Sequence, residues 1–266
     1  MALRYSLRVV RYSAQNAVAD FAATYTWKSW LFGWLGRMLS QVVFFTLAGR
    51  LLGSPSLHRE RFVGNSVMTC VVEAMMVVAS SAWERRAGTL PLLVSSPAGL
   101  FEVFFGRSLQ WVVSGTATSF VALLALGPFF GVHWAPAAVP VVVVVLLVTS
   151  LGSYCFGLFL SVLVLQATQL RNIVSNVSYL AMMTFCGVQV PVGYWPAPIG
   201  WVAECIPITH GLRAMNALAA GGRADMVGQQ VLEAALCGVF WVLVAAAAFR
   251  LLAERGRRDG SIEYSA

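Results

Sequence analysis

AAVPVVVVVLLVTSLGSYCFGLFLSVLVL, residues 137–165, runs for twenty-nine positions without a charged side chain. A helix needs about 20 apolar residues to cross the hydrocarbon core of a bilayer. This run is long enough to span with a tilt, and Pro140 near its start predicts a kink. Reading outward finds further apolar runs at 27–52, 62–83, 101–130, 173–190 and 227–252. Composition points the same way: 59% of the 266 residues are hydrophobic and 11% are charged, whereas about a quarter of an ordinary soluble domain is charged. No barrel-like alternation is visible, and closed barrels are the only other spanning solution. The expected fold class is therefore all-α integral membrane, with six transmembrane helices filling 27–253.

Residues 1–26 precede the spans. Leu3, Leu7, Val10, Ala14, Ala17 and Phe21 recur at helical spacing on one face, with Arg4, Arg8 and Arg11 beside them. That pattern predicts an amphipathic interfacial helix with arginines reaching lipid headgroups. With the N-terminus inside, eleven arginines fall in inner segments and five in outer ones. The positive-inside bias then places both termini, including the tail 254–266, in the cytoplasm. Trp27, Trp30, Trp83 and Trp111 fall near the inner interface, and Trp134, Trp195 and Trp201 near the outer one. The net charge of +7 lies beside apolar runs, which favours membrane lipids over nucleic acid as its partner. Seventeen arginines accompany a single lysine, a usage that points to a GC-rich, bacterial source and hence to the cell (plasma) membrane.

Two segments break the spanning pattern. The inner loop 84–99 starts charged at Glu84, Arg85 and Arg86 and turns amphipathic, with Gly88 and Pro91 as punctuation. A short helix across the cytosolic face fits it, presenting the charged residues to a partner while Leu90, Leu92 and Leu93 anchor it. The segment 191–218 carries Pro191, Pro196, Pro198 and Pro207 among apolar residues. Proline excludes one straight helix there, so short broken helices dipping into the outer leaflet are expected.

These segments carry a family resemblance. Glu84-Arg85-x-x-Gly88-Thr89-Leu90-x-x-Leu93-x-x-Ser96-Pro97 resembles the signature before the third span of ABC-2 type transporter permeases. Pro191…Trp195-Pro196…Pro207-Ile208-Thr209-His210-Gly211-Leu212-Arg213 resembles that family's second signature, ahead of the last span. Pro91 stands where the family often has an acidic residue. The resemblance implies an exporter permease that pairs with a second permease copy or homologue. It also implies docking of ATP-binding cassette ATPase subunits, with ATP and Mg on the partner. Glu84, Arg85, Arg86, Gly88, Thr89, Leu90 and Leu92 are then the coupling residues. Pro191, Trp195, Pro207, Thr209, His210 and Arg213 mark the outer re-entrant motif. Cargo would be an amphipathic drug, natural product, peptide or lipid; the alternatives are a polysaccharide or glycolipid exporter and an ion-coupled secondary transporter.

The chemistry within the chain agrees that the ATPase lies elsewhere. A P-loop needs Gly-x-x-x-x-Gly-Lys-Ser/Thr, and the only lysine, Lys28, has no glycine-rich approach. His58, His133 and His210 form no metalloprotease motif, and every aspartate lies outside the spans, so an enzyme is not expected and no cofactor or metal is assigned. Arg37 lies roughly 15 Å into the first span at the helical rise, and Glu73 lies near the middle of the second. A charge at such depth costs at least about 2.5–3.5 kcal/mol on insertion scales. Arg37 and Glu73 are expected to pair or to line a polar cavity, with Phe44, Met76 and Met183 as further residues of an adaptable apolar path.

Overall fold

α1 (Ala2–Thr24) opens the chain and lies against the helix Leu100–Arg107 through one narrow face. Ser6 Oγ donates to Glu102 Oε1 at 3.1 Å, and a Cβ on Gly106 would lie 2.5 Å from the Val10 carbonyl oxygen. Ser13 and Ala17 are buried on the same side. The packed face thus runs Ser6, Val10, Ser13, Ala17, whereas Leu7 of the expected apolar stripe is 61% exposed. The structure, a computed structural model, describes residues 2–50, 55–86, 88–96 and 99–259, without the side chains of 2, 3, 24, 50, 55–57, 86, 168 and 259. Leu3, the expected span end at 51–52 and the tail at 260–266 lie outside that description.

A π-helical stretch, Ser29–Leu35, leads into α2 (Gly36–Arg50). α3 (Pro55–Ala74) and α4 (Met76–Arg86) follow one another across a turn at Met75. Phe62, Val63, Val67, Cys70, Val71 and Ala74 are fully buried, so this is the central helix of the bundle. α5 (Leu90–Ser95) is a single short helix, and α6 (Leu100–Arg107) and α7 (Gln110–Val121) come next. α7 widens to a π turn at Ala122–Leu126 immediately before Pro128, where the ring excludes the regular i−4 bond.

α8 (Val139–Gln166) is continuous. Pro140 occupies its first turn, where a missing N–H leaves no helix bond unmade; the expected kink is absent for that reason. Tyr154, fully buried at the middle of α8, donates its hydroxyl to the Phe105 carbonyl at 2.6 Å. α9 (Arg171–Phe185), α10 (Ala197–Glu204), α11 (Pro207–Ala219) and α12 (Ala224–Asp259) complete the chain.

Among the described residues, five helices are long and apolar enough to cross a membrane: Ser29–Gly49, His58–Arg85, Leu100–Phe130, Pro136–Gln166 and Ala224–Arg258. The expected span at 173–190 differs. α9 has 15 residues, about 22 Å of helix, and the chain bends from Cys186 to Val190. α8 and α12 run in the same direction: a Cβ on Gly152 would lie 3.5 Å from the Ala234 carbonyl oxygen, and further along Phe156 and Phe159 pack on Trp241 at 4.7 and 5.3 Å. The chain between Gln166 and Ala224 therefore returns along the bundle, and it does so in pieces.

Small residues set these contacts. A Cβ on Gly115 of α7 would lie 2.8 Å from the Cys70 carbonyl oxygen of α3, and one on Gly238 of α12 would lie 3.1 Å from the Gly152 Cα of α8. Without side chains at these points the helix backbones approach closely, the packing that serves where lipid removes the hydrophobic drive between helices.

Candidate functional site

Polar groups gather at three levels of the bundle. At the end that holds the α4–α5 turn, Gly88 adopts φ +70°, the left-handed conformation that ends a helix at low cost only for glycine. The turn folds Thr89 back onto α4: its hydroxyl reaches Glu84 Oε2 at 2.6 Å and the Glu84 carbonyl at 3.0 Å. Glu84 is 6% exposed, and its Oε1 pairs with Arg107 Nε at 2.9 Å. Arg107 also reaches Asp20 of α1 at 3.4 Å. Arg85 donates from Nη1 to the Leu165 carbonyl and, at 2.8 Å, to the Gln166 carbonyl, satisfying the last acceptors of α8.

This geometry corrects the expected presentation of the loop. Glu84 is buried, and Arg85 is half-buried with its guanidinium on the end of α8; the Arg86 side chain and Pro97 lie outside the described residues. Leu90 and Val94 are buried and Leu93 packs partly buried against the core, while Leu92 is 66% exposed. Pro91 sits in the first turn of α5 and starts the helix rather than shortening it. The periodicity of so short an element, six residues, could not choose which leucine points outward.

In the interior, Arg37 is exposed and lies over the Trp34 ring at 5.5 Å. Glu73 is fully buried and forms no ion pair among the described residues. The expected Arg37–Glu73 pair is not made: the two helices present these side chains to different surroundings. Ser114, Thr118 and Trp34 face Glu73 instead, yet neither carboxylate oxygen has a hydrogen-bond partner at proper geometry among the described residues, and the same holds for Trp34 Nε1, Trp111 Nε1 and Thr118 Oγ1. Tyr25, just before the first span, has its phenol pushed above the ordinary range by burial, then by the Glu73 charge, with Arg37 opposing. Of the other expected path residues, Phe44 is 66% exposed, Met76 is half-buried and Met183 is buried. Sequence reading missed Trp34, Ser114 and Thr118. Their signal was present: Ser114 and Thr118 stand four apart on one span, hence on one helix face.

At the other end, the proline-rich segment folds α10 and α11 into a hairpin. Trp195 Nε1 donates to the Thr184 carbonyl at 3.1 Å, tying the segment to α9. Pro191 caps a 3-10 turn at Val192–Tyr194, and Pro207 opens α11. Thr209 Oγ1 donates to the Ala203 carbonyl at 2.6 Å, His210 Nε2 meets the Glu204 carbonyl at 2.9 Å, and Arg213 Nη1 donates to Glu204 Oε2 at 2.8 Å. Three residues of the second motif thus close on the last residues of α10, whose carbonyls have no partners within their own helix. His210 Nδ1 also lies 3.1 Å from Glu233 of α12, which fastens the hairpin to the last long helix. Glu204 is the residue that the motif did not reveal.

Long apolar helices with polar groups collected at both ends and around one interior carboxylate define a multi-pass membrane protein. The family model for ABC-2 type transporter matches residues 17–219, and the chain belongs to that family. It is a permease component of such a transporter, not itself catalytic, and permeases of this family normally work with an ATP-binding cassette subunit. The match ends at the last residue of α11 and takes in both motif regions. No curated protein matches the chain.

Proposed function

We propose that this chain is the membrane half of an ATP-driven exporter for amphipathic molecules, working as a dimer with ATPase subunits docked beside α5. Family membership carries this reading, and the lack of a phosphate-binding lysine motif in the sequence supports a separate ATPase. The return of the chain between α8 and α12 supports six crossings, one of them assembled from α9, α10 and α11, with both termini in the cytoplasm. Glu84 and Arg85 then brace the docking element, and Leu92 offers the apolar contact to the ATPase.

The test is co-expression with an ATP-binding cassette subunit encoded beside this gene, purification in lipid and measurement of cargo-stimulated ATP hydrolysis. A stable complex whose stimulation is lost in Leu92→Glu, while the permease still inserts and elutes as a single species, is the expected result. Absence of any complex with such a subunit removes the exporter reading. A complex indifferent to Leu92→Glu removes α5 as the docking element.

A further inference from the structure

A cavity of about 330 Å³ lies between α1, α4 and the junction of α6 with α7. Its size is at the lower end of small-molecule sites. Ser81, Glu84 and Ser108, all buried, belong to its wall, and so do Asp20, Trp83 and Arg107, which keep contact with the outside. The charges in that wall are matched among themselves: Arg107 stands between Glu84 at 2.9 Å and Asp20 at 3.4 Å. Ser80 donates to the Val77 carbonyl at 3.2 Å and lies 3.0 Å from the Ser108 hydroxyl. Thr89 closes on Glu84 at 2.6 Å.

Two polar atoms of the wall stay unpartnered among the described residues, Ser81 Oγ and Gln110 Oε1. Ser81 is 1% exposed, and a polar group so buried costs free energy until something bonds to it. Both atoms are neutral. The amide oxygen only accepts, and the hydroxyl accepts or donates, so the complementary group is a donor. The two atoms stand on different helices, α4 and α7. One ligand that meets both must therefore present hydrogen bonds in two directions. An anion would meet Asp20 and Glu84, and a cation would compete with Arg107 for them. Trp83 adds a ring that is 48% exposed, a flat apolar surface beside the polar ones.

We propose that this cavity binds the uncharged, hydroxylated head of a glycoside. Ring hydroxyls of the sugar donate to Gln110 Oε1 and bond to Ser81 Oγ, while its C–H face lies on Trp83. Matched charges and free neutral acceptors set this choice over an ionic ligand. The assignment rests on the exporter reading for its meaning as a cargo site, and it makes that cargo a glycosylated one. Glu84 and Thr89 belong both to the cavity and to the α4–α5 turn, so a bound head touches the residues that hold α5. Binding itself needs neither ATP nor a partner, so the two readings fail separately.

The experiment is equilibrium dialysis of tritiated phenyl β-glucoside with the full chain in lipid nanodiscs, against nanodiscs without protein. Phenyl glucuronide and phenyl glucosaminide, which carry a negative and a positive group on the same ring, are the comparisons. Saturable glucoside binding is expected, with the glucuronide at least about ten-fold weaker and the glucosaminide no tighter than the glucoside. Ser81→Ala should weaken glucoside binding about three- to ten-fold without lowering the unfolding midpoint, because the deleted hydroxyl has no partner in the free protein. Trp83→Ala, at a half-exposed position, should weaken it as well. If Ser81→Ala misfolds, Trp83→Ala carries the decision alone. Absence of saturable glucoside binding, tighter binding of either charged analogue, or an affinity unchanged in the folded variants overturns the proposal. An ATPase complex without glucoside binding removes the sugar site and leaves the exporter reading in place.

Discussion

Glu84 is the residue on which the α4–α5 turn depends. It takes the Thr89 hydroxyl on one oxygen and Arg107 on the other. Removing its side chain leaves the Thr89 hydroxyl only the Glu84 main-chain carbonyl and Arg107 only the longer contact to Asp20. Glu84→Ala should lower stability by about 1–3 kcal/mol, short of a fully buried pair because the Arg107 side chain is 37% exposed and screened by solvent. Glu84→Gln keeps an acceptor for Thr89 and loses only the ion pair, so its cost should be smaller. Thermal unfolding in nanodiscs should rank wild type above Glu84→Gln above Glu84→Ala; an unchanged transition in both variants would show that the pair is incidental. This role was not legible in the sequence. Arg107 lies twenty-three positions after Glu84, and nothing local indicates that a charged loop residue turns inward to meet it. Gly88 and Thr89, by contrast, announce a helix end through chemistry they carry themselves.

Among the elements, glycine separates contacts that cannot move from positions that are open. At Gly115 a methyl group would meet the backbone of Cys70 and the Glu73 Cβ at 2.8 and 2.9 Å. Gly115→Ala must push α7 from α3, a strain of about 1–3 kcal/mol. Gly200 lies in α10 with nothing within 4 Å of the added methyl, and a helical Gly→Ala exchange there should gain up to about 1 kcal/mol. The two substitutions, identical in chemistry, should shift the unfolding midpoint in opposite directions; the same sign for both would contradict the α3–α7 contact. Elements were legible wherever composition alone decides, as in α8, whose apolar run is longer than a bilayer is thick. They were not legible where neighbours decide. Pro140 reads as a kink in the sequence, and only its place in the first turn of α8 makes it a helix start instead. α9 stops at Phe185 although apolar sequence continues, because Cys186 to Val190 leave the helix to pack against α3: a Cβ on Gly64 would lie 3.1 Å from the Val188 carbonyl oxygen, and Gln189 Nε2 donates to Asn65 Oδ1 at 3.0 Å.

At the scale of the molecule, the parallel course of α8 and α12 governs the topology. Two neighbouring helices of one chain can point the same way only if the intervening segment travels the length of the bundle, and 57 residues lie between Gln166 and Ala224. α9 alone is too short for that journey. α11 adds 13 residues but packs beside α12, with His210 joined to Glu233, so the remainder of the crossing falls to the turns and short helices between. Such irregular backbone survives at membrane depth only when protein satisfies it, and the bonds from Thr209, His210 and Trp195 to main-chain carbonyls do this. The consequence is measurable by accessibility. In a background stripped of native cysteines, Gln169→Cys should react with a membrane-impermeant maleimide only from the cytoplasmic side, and Arg223→Cys only from the outside. Arg255→Cys, at the far end of α12, should again react from the cytoplasm. Labelling of positions 169 and 223 from one side would mean that the segment between them enters and leaves through the same face; α12 would then have to run against α8, which the succession of Gly152 on Ala234 and Phe159 on Trp241 forbids.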